Sequence, residues 1–325
     1  MGYIIMKELF EVTIEVTQRC PNRCIYCSSW SDINKSAILD LQTIYGIVDD
    51  AAELGAKLIN LSGGEPLLRP DIADIADYIH TKGLEIRLYS SGIFYDGSFK
   101  TIPAAILESI KGSVDHLIFN YESSIPEMYA KIMGTQPENL ALLDETIKNS
   151  IEIGIPVEAH IVPMKCNFRQ IPQTLEKLYE MGISKVSLLR LVPQGRVEEN
   201  EEMTILSAEE QNELASLLES LSNKYDKTKL RLGKPQRTSK ISTCRTGTIR
   251  MVVRYDGLVF PCGAFKDGFM TFLGHKPVNI REKRLSEIYQ DSEYLKAVRS
   301  ELAKYYEGEV CEPCFGQYCR FNQIH

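Results

Sequence analysis

From residue 10 to about 230, short β-branched and apolar runs alternate with stretches whose apolar residues recur at intervals of three and four. The runs Phe10–Val16, Lys57–Leu61, Leu84–Tyr89, Val114–Asn120, Pro156–Val162 and Lys185–Leu191 have the length and residue types of buried strands. Between them, Ile72, Ile75, Ala76 and Ile79, and later Leu140, Leu143, Ile147 and Ile151, mark one apolar face of a helix each. Gly55, Gly83, Gly154 and Gly182 follow helical stretches, where a left-handed cap ends the helix. A sixth helix opens on the capping box Ser207-x-x-Glu210 and continues through Leu214, Leu217, Leu218 and Leu221. Strand and helix in strict alternation predict an α/β fold with a parallel sheet, and six units fit a partial (β/α)6 TIM-type barrel. Sites in such barrels lie at the carboxyl ends of the strands.

Composition narrows the class. The 325 residues are 44% hydrophobic and 25% charged, enough for one large core and a small appended one. A net charge of −7 and a pI near 5.5 argue against nucleic acid as the main partner, since phosphate binding needs a dense basic face. No run of eighteen apolar residues occurs and the start lacks a signal-peptide pattern, so no membrane association is expected and the cytoplasm is the expected compartment. There, nine cysteines read as metal ligands or redox thiols rather than disulfides. They cluster at 20–27 and 244–319, with Cys166 apart.

The first cluster, Cys20-Pro-Asn-Arg-Cys24-Ile-Tyr-Cys27, leaves the first strand. Three thiolates at this spacing suit three corners of a four-iron cube, with the fourth iron open to a ligand. A structural zinc loop, the alternative, needs a fourth nearby Cys or His, and none lies within the next fifty residues. The motif resembles that of the radical S-adenosylmethionine (SAM) superfamily, including an aromatic residue, Tyr26, before the last Cys. After the second strand, Ser62-Gly63-Gly64-Glu65-Pro66 resembles that family's GGE motif, which holds the amino group of SAM; Gly63 stands 36 residues after Cys27. Ser91 occupies a turn that contacts SAM in relatives. After the fourth strand the wording departs from the family: Asn120, Glu122 and Met133-Gly134 stand where relatives carry Ser-x-Asp and Arg-Gly. Asn120 and Glu122 remain candidates for SAM, and Lys131 and Arg190 are candidates to replace the missing Arg as partner of the SAM carboxylate, a rim ion pair being the alternative for Arg190. His160 on the fifth strand is a candidate for substrate contact, although a lone His among apolar residues is more often a core side chain.

Residues 222–243 are polar and basic and end in Gly, Pro and Ser, which suits a linker between a core over 1–225 and a second region over 226–325. In the latter, Cys244 is followed after twelve residues by Gly257 and after four more by Cys262, with a hairpin turning at Asp256-Gly257; Cys311-x-x-Cys314 and Cys319 come later. This resembles the SPASM domain and its shortened form, twitch, which bind auxiliary four-iron clusters. Five thiols imply one such cluster. A zinc ribbon is the alternative for this region alone.

The resemblance implies reductive cleavage of SAM to a 5′-deoxyadenosyl radical that takes a hydrogen atom from the substrate. It further implies a peptide or protein substrate (cross-link, epimerisation or oxidation), an electron donor such as flavodoxin or ferredoxin, and oxidoreductase chemistry. Only nineteen residues precede Cys20, so leader recognition is expected from a separate leader-peptide-binding protein or by direct docking. Sugar or aminocyclitol dehydrogenation or epimerisation is the alternative; a non-catalytic iron–sulfur electron-transfer protein is the alternative of another class, and would have no use for Gly63-Gly64-Glu65. Cys319 is either the fourth ligand of the auxiliary cluster or a hydrogen donor to the substrate radical, and Cys166 is a second donor candidate.

Overall fold

The structure, a computed structural model, describes residues 9–232, 244–307 and 314–324. Eleven strands form in chain order: β1 (Glu11–Thr17), β2 (Leu58–Gly63), β3 (Glu85–Ser90), β4 (Ile93–Tyr95), β5 (Phe99–Thr101), β6 (His116–Asn120), β7 (Val157–Ile161), β8 (Lys185–Leu188), β9 (Leu230–Leu232), β10 (Arg250–Val253) and β11 (Val259–Phe260). Nine of them make one sheet in the order β11-β10-β1-β2-β3-β6-β7-β8-β9, while β4 and β5 form a separate hairpin. The six strands read from periodicity are the six at its centre. They are parallel throughout, with helices crossing between them. Along β1, Val12, Ile14 and Val16 are wholly buried in the main apolar cluster, together with Ile44, Ile47 and Val48 of the helix Leu41–Glu53 and Ile75 and Ile79 of the helix Ile72–Thr81.

The sheet is wider than six strands. An open six-stranded sheet leaves two edges of unpaired backbone groups, and the chain covers both. Residues 222–232, the first part of the stretch read as a linker, end the helix Ala208–Lys224 and then form β9 parallel to β8. At the other edge β10 lies parallel to β1, pairing Thr13 with Val252 and Ile14 with Val253. The hairpin expected at Asp256-Gly257 is present: β11 runs antiparallel to β10, and Gly257 turns at φ 90°. The cysteine-bearing second region is therefore hydrogen-bonded directly onto the first strand of the barrel. No helix among the described residues is long and apolar enough to cross a membrane.

Candidate active site

Cys20, Cys24 and Cys27 line one cavity at the carboxyl ends of the strands, shared with Ser62, Gly63 and Gly64 at the end of β2, Tyr89 to Ser91 at the end of β3, and Asn120 at the end of β6. All three are free thiols. Their loop is held on two sides. The amides of Arg23 and Ile25 donate to the carbonyls of Met133 and Ile132 (3.0 and 2.9 Å) at the end of the helix Pro126–Met133. On the other side Arg196, only 2% exposed, sends Nη1 to the Cys24 carbonyl (3.3 Å) and Nη2 to the Ser31 carbonyl (2.5 Å). A guanidinium buried against carbonyls locks the loop's shape and brings positive charge to its thiols. Nothing in the local sequence around Arg196 marks this role, because its partners lie 172 and 165 positions away.

Burial pushes the Cys20 thiol well above its usual range, with Cys24 and Glu65 adding to the effect. Burial likewise raises Cys24, and the Arg196 charge opposes the rise. Three crowded thiolates disfavour one another, which coordination to positively charged iron relieves. The donor set and its convergence in one cavity fit a three-thiolate cluster.

The glycine pair has a different local reason from the one its spacing suggested. A Cβ on Gly64 would lie 2.1 Å from the Arg19 carbonyl oxygen, and one on Gly63, at φ 123°, 2.3 Å from that of Thr17. The amides of Gly64 and Glu65 donate to those same carbonyls (2.6 and 2.8 Å). The pair thus presses the β2 exit onto the chain entering the cysteine loop.

Glu65 is fully buried and does not line the cavity. Its Oε2 accepts from the Ser91 amide and hydroxyl (2.6 and 2.5 Å), and its Oε1 from the Ser90 hydroxyl and Leu67 amide (3.0 and 3.1 Å). Desolvation raises its pKa while those bonds oppose the rise. Ser91 does line the cavity. Glu122 is also turned away from it. Its Oε1 accepts from the Tyr26 hydroxyl (2.7 Å) and its Oε2 from the Val162 amide (2.8 Å), and burial lifts it to about 8. Tyr26, which also accepts from Asn120 Nδ2 (3.3 Å), ties the cysteine loop to the β6 exit.

Neither cation proposed for the carboxylate of SAM lines the cavity. Lys131 is exposed on its helix, and Arg190 lies past the end of β8 with Nε and Nη1 buried and unpartnered. Lys266 of the second region lines it instead. His160 is buried on β7 beside Tyr89, ring centroids 5.4 Å apart, and is not among the lining residues. Cys166 is half-buried, outside the lining, and raised to about 11 mainly by burial.

In the second region Cys314 lies close enough to Cys244, Cys262 and Cys319 for its charge to raise all three, burial being the largest influence on each, and Cys262 and Cys319 are raised to about 12. The amides of Thr246 and Phe315 face the Cys244 sulfur, and that of Ala264 faces Cys262, as donors to bound thiolates do. Cys319 is wholly buried there and does not reach the barrel cavity. Cys311 lies outside the described residues.

Comparison with known proteins agrees with this geometry. Residues 14–178 match the radical SAM superfamily, and residues 244–315 match SPASM, an iron–sulfur cluster-binding domain. The chain is 25% identical over 308 residues to the PqqA peptide cyclase of Methylobacterium sp. (strain 4-46), covering 92% of this chain and 77% of that protein. It is 26% identical over 190 residues to the probable GTP 3′,8-cyclase of Methanococcus maripaludis (strain DSM 14266), covering 58% of this chain and 61% of that one. Streptococcus suis SuiB bound to SAM has the same fold, with a TM-score of 0.71 at 16% identity over 90% of this chain and 68% of SuiB. The chain belongs to the radical SAM superfamily and carries a SPASM iron–sulfur cluster-binding domain after its core.

Proposed function

We infer that this protein is a radical SAM enzyme that modifies a peptide or protein. The observation that carries the reading is the convergence of Cys20, Cys24 and Cys27 with the Ser62–Gly64 loop and the ends of β3 and β6 on one cavity. When bound there, the iron–sulfur cluster supplies the electron that opens SAM to a 5′-deoxyadenosyl radical able to take a substrate hydrogen atom. The chain's own residues hold and shape the site. Cys20, Cys24 and Cys27 ligate the cluster, and Arg196 and Met133 fix their loop. Main-chain groups of Ser62–Gly64 and the hydroxyls of Ser62, Ser90 and Ser91 offer the SAM ammonium neutral acceptors, while Asn120 offers donors and an acceptor to its polar groups. Glu65 acts behind them by fixing Ser90 and Ser91.

Four of the five thiols Cys244, Cys262, Cys311, Cys314 and Cys319 supply the ligands of one auxiliary four-iron cluster. Cys319 belongs to this set and is not a hydrogen donor, because it is buried away from the barrel cavity. A peptide substrate is favoured because the peptide cyclase match, at 308 residues, is long enough to include both cysteine clusters, whereas the nucleotide cyclase match, at 190, cannot span them. SuiB, of the same fold, has been seen bound to its precursor peptide SuiA. The reading includes action in the cytoplasm with a small electron-transfer protein as reductant.

The test is anaerobic incubation of reconstituted protein with SAM and dithionite, with and without short peptides encoded beside its gene. We expect 5′-deoxyadenosine in every reaction and a mass shift in one peptide. Absence of 5′-deoxyadenosine from protein loaded with iron would refute radical chemistry, and its formation with no peptide altered would refute the substrate class.

A further inference from the structure

The cavity over the three cysteines is rich in hydroxyls and poor in charge. Among the described residues lining it, Lys266 is the only Lys or Arg, and none is Asp or Glu. This cation comes from outside the core. Pairing of β10 with β1 sets the β10–β11 hairpin beside the first strand, and the turn Gly263–Phe265 leads the chain back over the barrel mouth. Lys266, 9% exposed, donates from Nζ to the Ser29 hydroxyl (2.7 Å) and is ion-paired with Oε1 of Glu15 on β1. Glu15 is 2% exposed and also accepts from Ser29 (2.8 Å); its Oε2 has no hydrogen-bond partner. An ammonium has three N–H groups, and these contacts use two, which leaves one for a ligand in the cavity.

We propose that Lys266 takes the carboxylate of SAM, so that the cofactor site of the core is completed by a residue of the auxiliary-cluster region. The inference rests on the reading that SAM occupies this cavity. The methionine end of SAM is a zwitterion. Its ammonium is satisfied by neutral carbonyl and hydroxyl acceptors, but a carboxylate withdrawn from water without a paired cation is strongly disfavoured. The hydroxyl hydrogens of Ser29, Ser90 and Ser91 are already given to Glu15 and Glu65, and only Lys266 among the lining residues brings positive charge. Glu15 and Ser29 are positioning residues: they hold the ammonium over the loop that follows Cys27.

The experiment compares SAM with decarboxylated SAM, which keeps the adenosine, sulfonium and amine, by equilibrium dialysis against anaerobically reconstituted full-length protein. Any contact of the carboxylate other than that with Lys266 is lost from both proteins alike and cancels in the comparison. In Lys266→Met, SAM binding should weaken by about tenfold or more, the effect of a lost hydrogen bond to a charged group. Binding of the decarboxylated compound should change by less than about threefold on the same scale, so the preference for SAM falls. Lys266→Arg should restore part of it. Glu15→Gln keeps the ammonium, and should keep the preference. Equal weakening of both compounds in Lys266→Met, or unchanged SAM affinity, would overturn the proposal. Should Lys266→Met fail to retain its iron, Lys266→Gln, which keeps a donor toward Glu15 and Ser29 without the charge, takes its place in the same comparison: a reduced preference for SAM supports the proposal, and an unchanged one overturns it. Iron-loaded wild-type protein that binds no SAM would instead refute the function on which the inference rests.

Discussion

His160 stands on β7 with 5% of its surface exposed and Nδ1 unpartnered; burial, reinforced by the charges of Arg231, Lys185 and Arg87, holds its pKa down to about 3. The unfolded chain takes up a proton on this imidazole near pH 6.5, whereas the folded chain stays neutral down to about 3. Stability from the neutral His160 is therefore complete above pH 6.5 and is lost as pH falls toward 3, at about 1.4 kcal/mol per pH unit inside that window. His160→Gln should flatten the pH dependence of Tm between pH 6.5 and 4 relative to wild type, and an identical slope would show that this imidazole titrates freely in the folded chain. The same burial raises Glu65, but there four protein donors around the carboxylate oppose it. A Gly-Gly-Glu spacing signals a loop near a ligand. It does not reveal that Ser90 and Ser91, on another strand, occupy the carboxylate.

The turn after β2 and the helix Leu41–Glu53 each contain a glycine, with opposite expectations for added side chains. Gly64 faces the Arg19 carbonyl so closely that Gly64→Ala must push the cysteine loop aside. That change should cost about 1–3 kcal/mol, the range for overpacking, and lower the iron retained at the first cluster. Gly46 lies inside the helix with nothing within 4 Å of its added Cβ. Gly46→Ala should stabilise by about 0.5–1 kcal/mol, since glycine weakens a helix interior. Chemical denaturation of the two variants measures both signs. If Gly64→Ala were neutral, the close approach of the β2 exit to the Thr17–Arg19 segment would not be what that glycine serves.

Across the whole molecule, the two cysteine sets leave opposite ends of the β1–β10 pair: Cys20 follows the carboxyl end of β1, whereas Cys244 precedes β10 and Cys262 follows the antiparallel β11. Reconstituted protein should hold about eight irons per chain, as two four-iron cubes require. Replacing Cys20, Cys24 and Cys27 together with Ala should remove about half of them, and Cys319→Ala should remove the other half. Full iron in Cys319→Ala would take that thiol out of the ligand set. The order of strands and helices was legible because burial imposes periods of two and 3.6 on any chain that folds this way. The cysteine loop was legible because its ligands lie within eight residues, and the hairpin because Asp256-Gly257 needs no distant partner to turn. Sequence by itself thus determined the fold class, the metal-binding character of both cysteine sets and the loops that meet at the barrel mouth. Tertiary structure alone decided which side chains complete that mouth. Lys266 and Glu15 are 251 positions apart, and Arg196 reaches the Cys24 carbonyl across 172. Those contacts follow from β10 choosing the free edge of β1 and from the chain after β8 folding back over the cysteine loop, and local spacing carries no record of which distant segment will fill an edge or a buried gap.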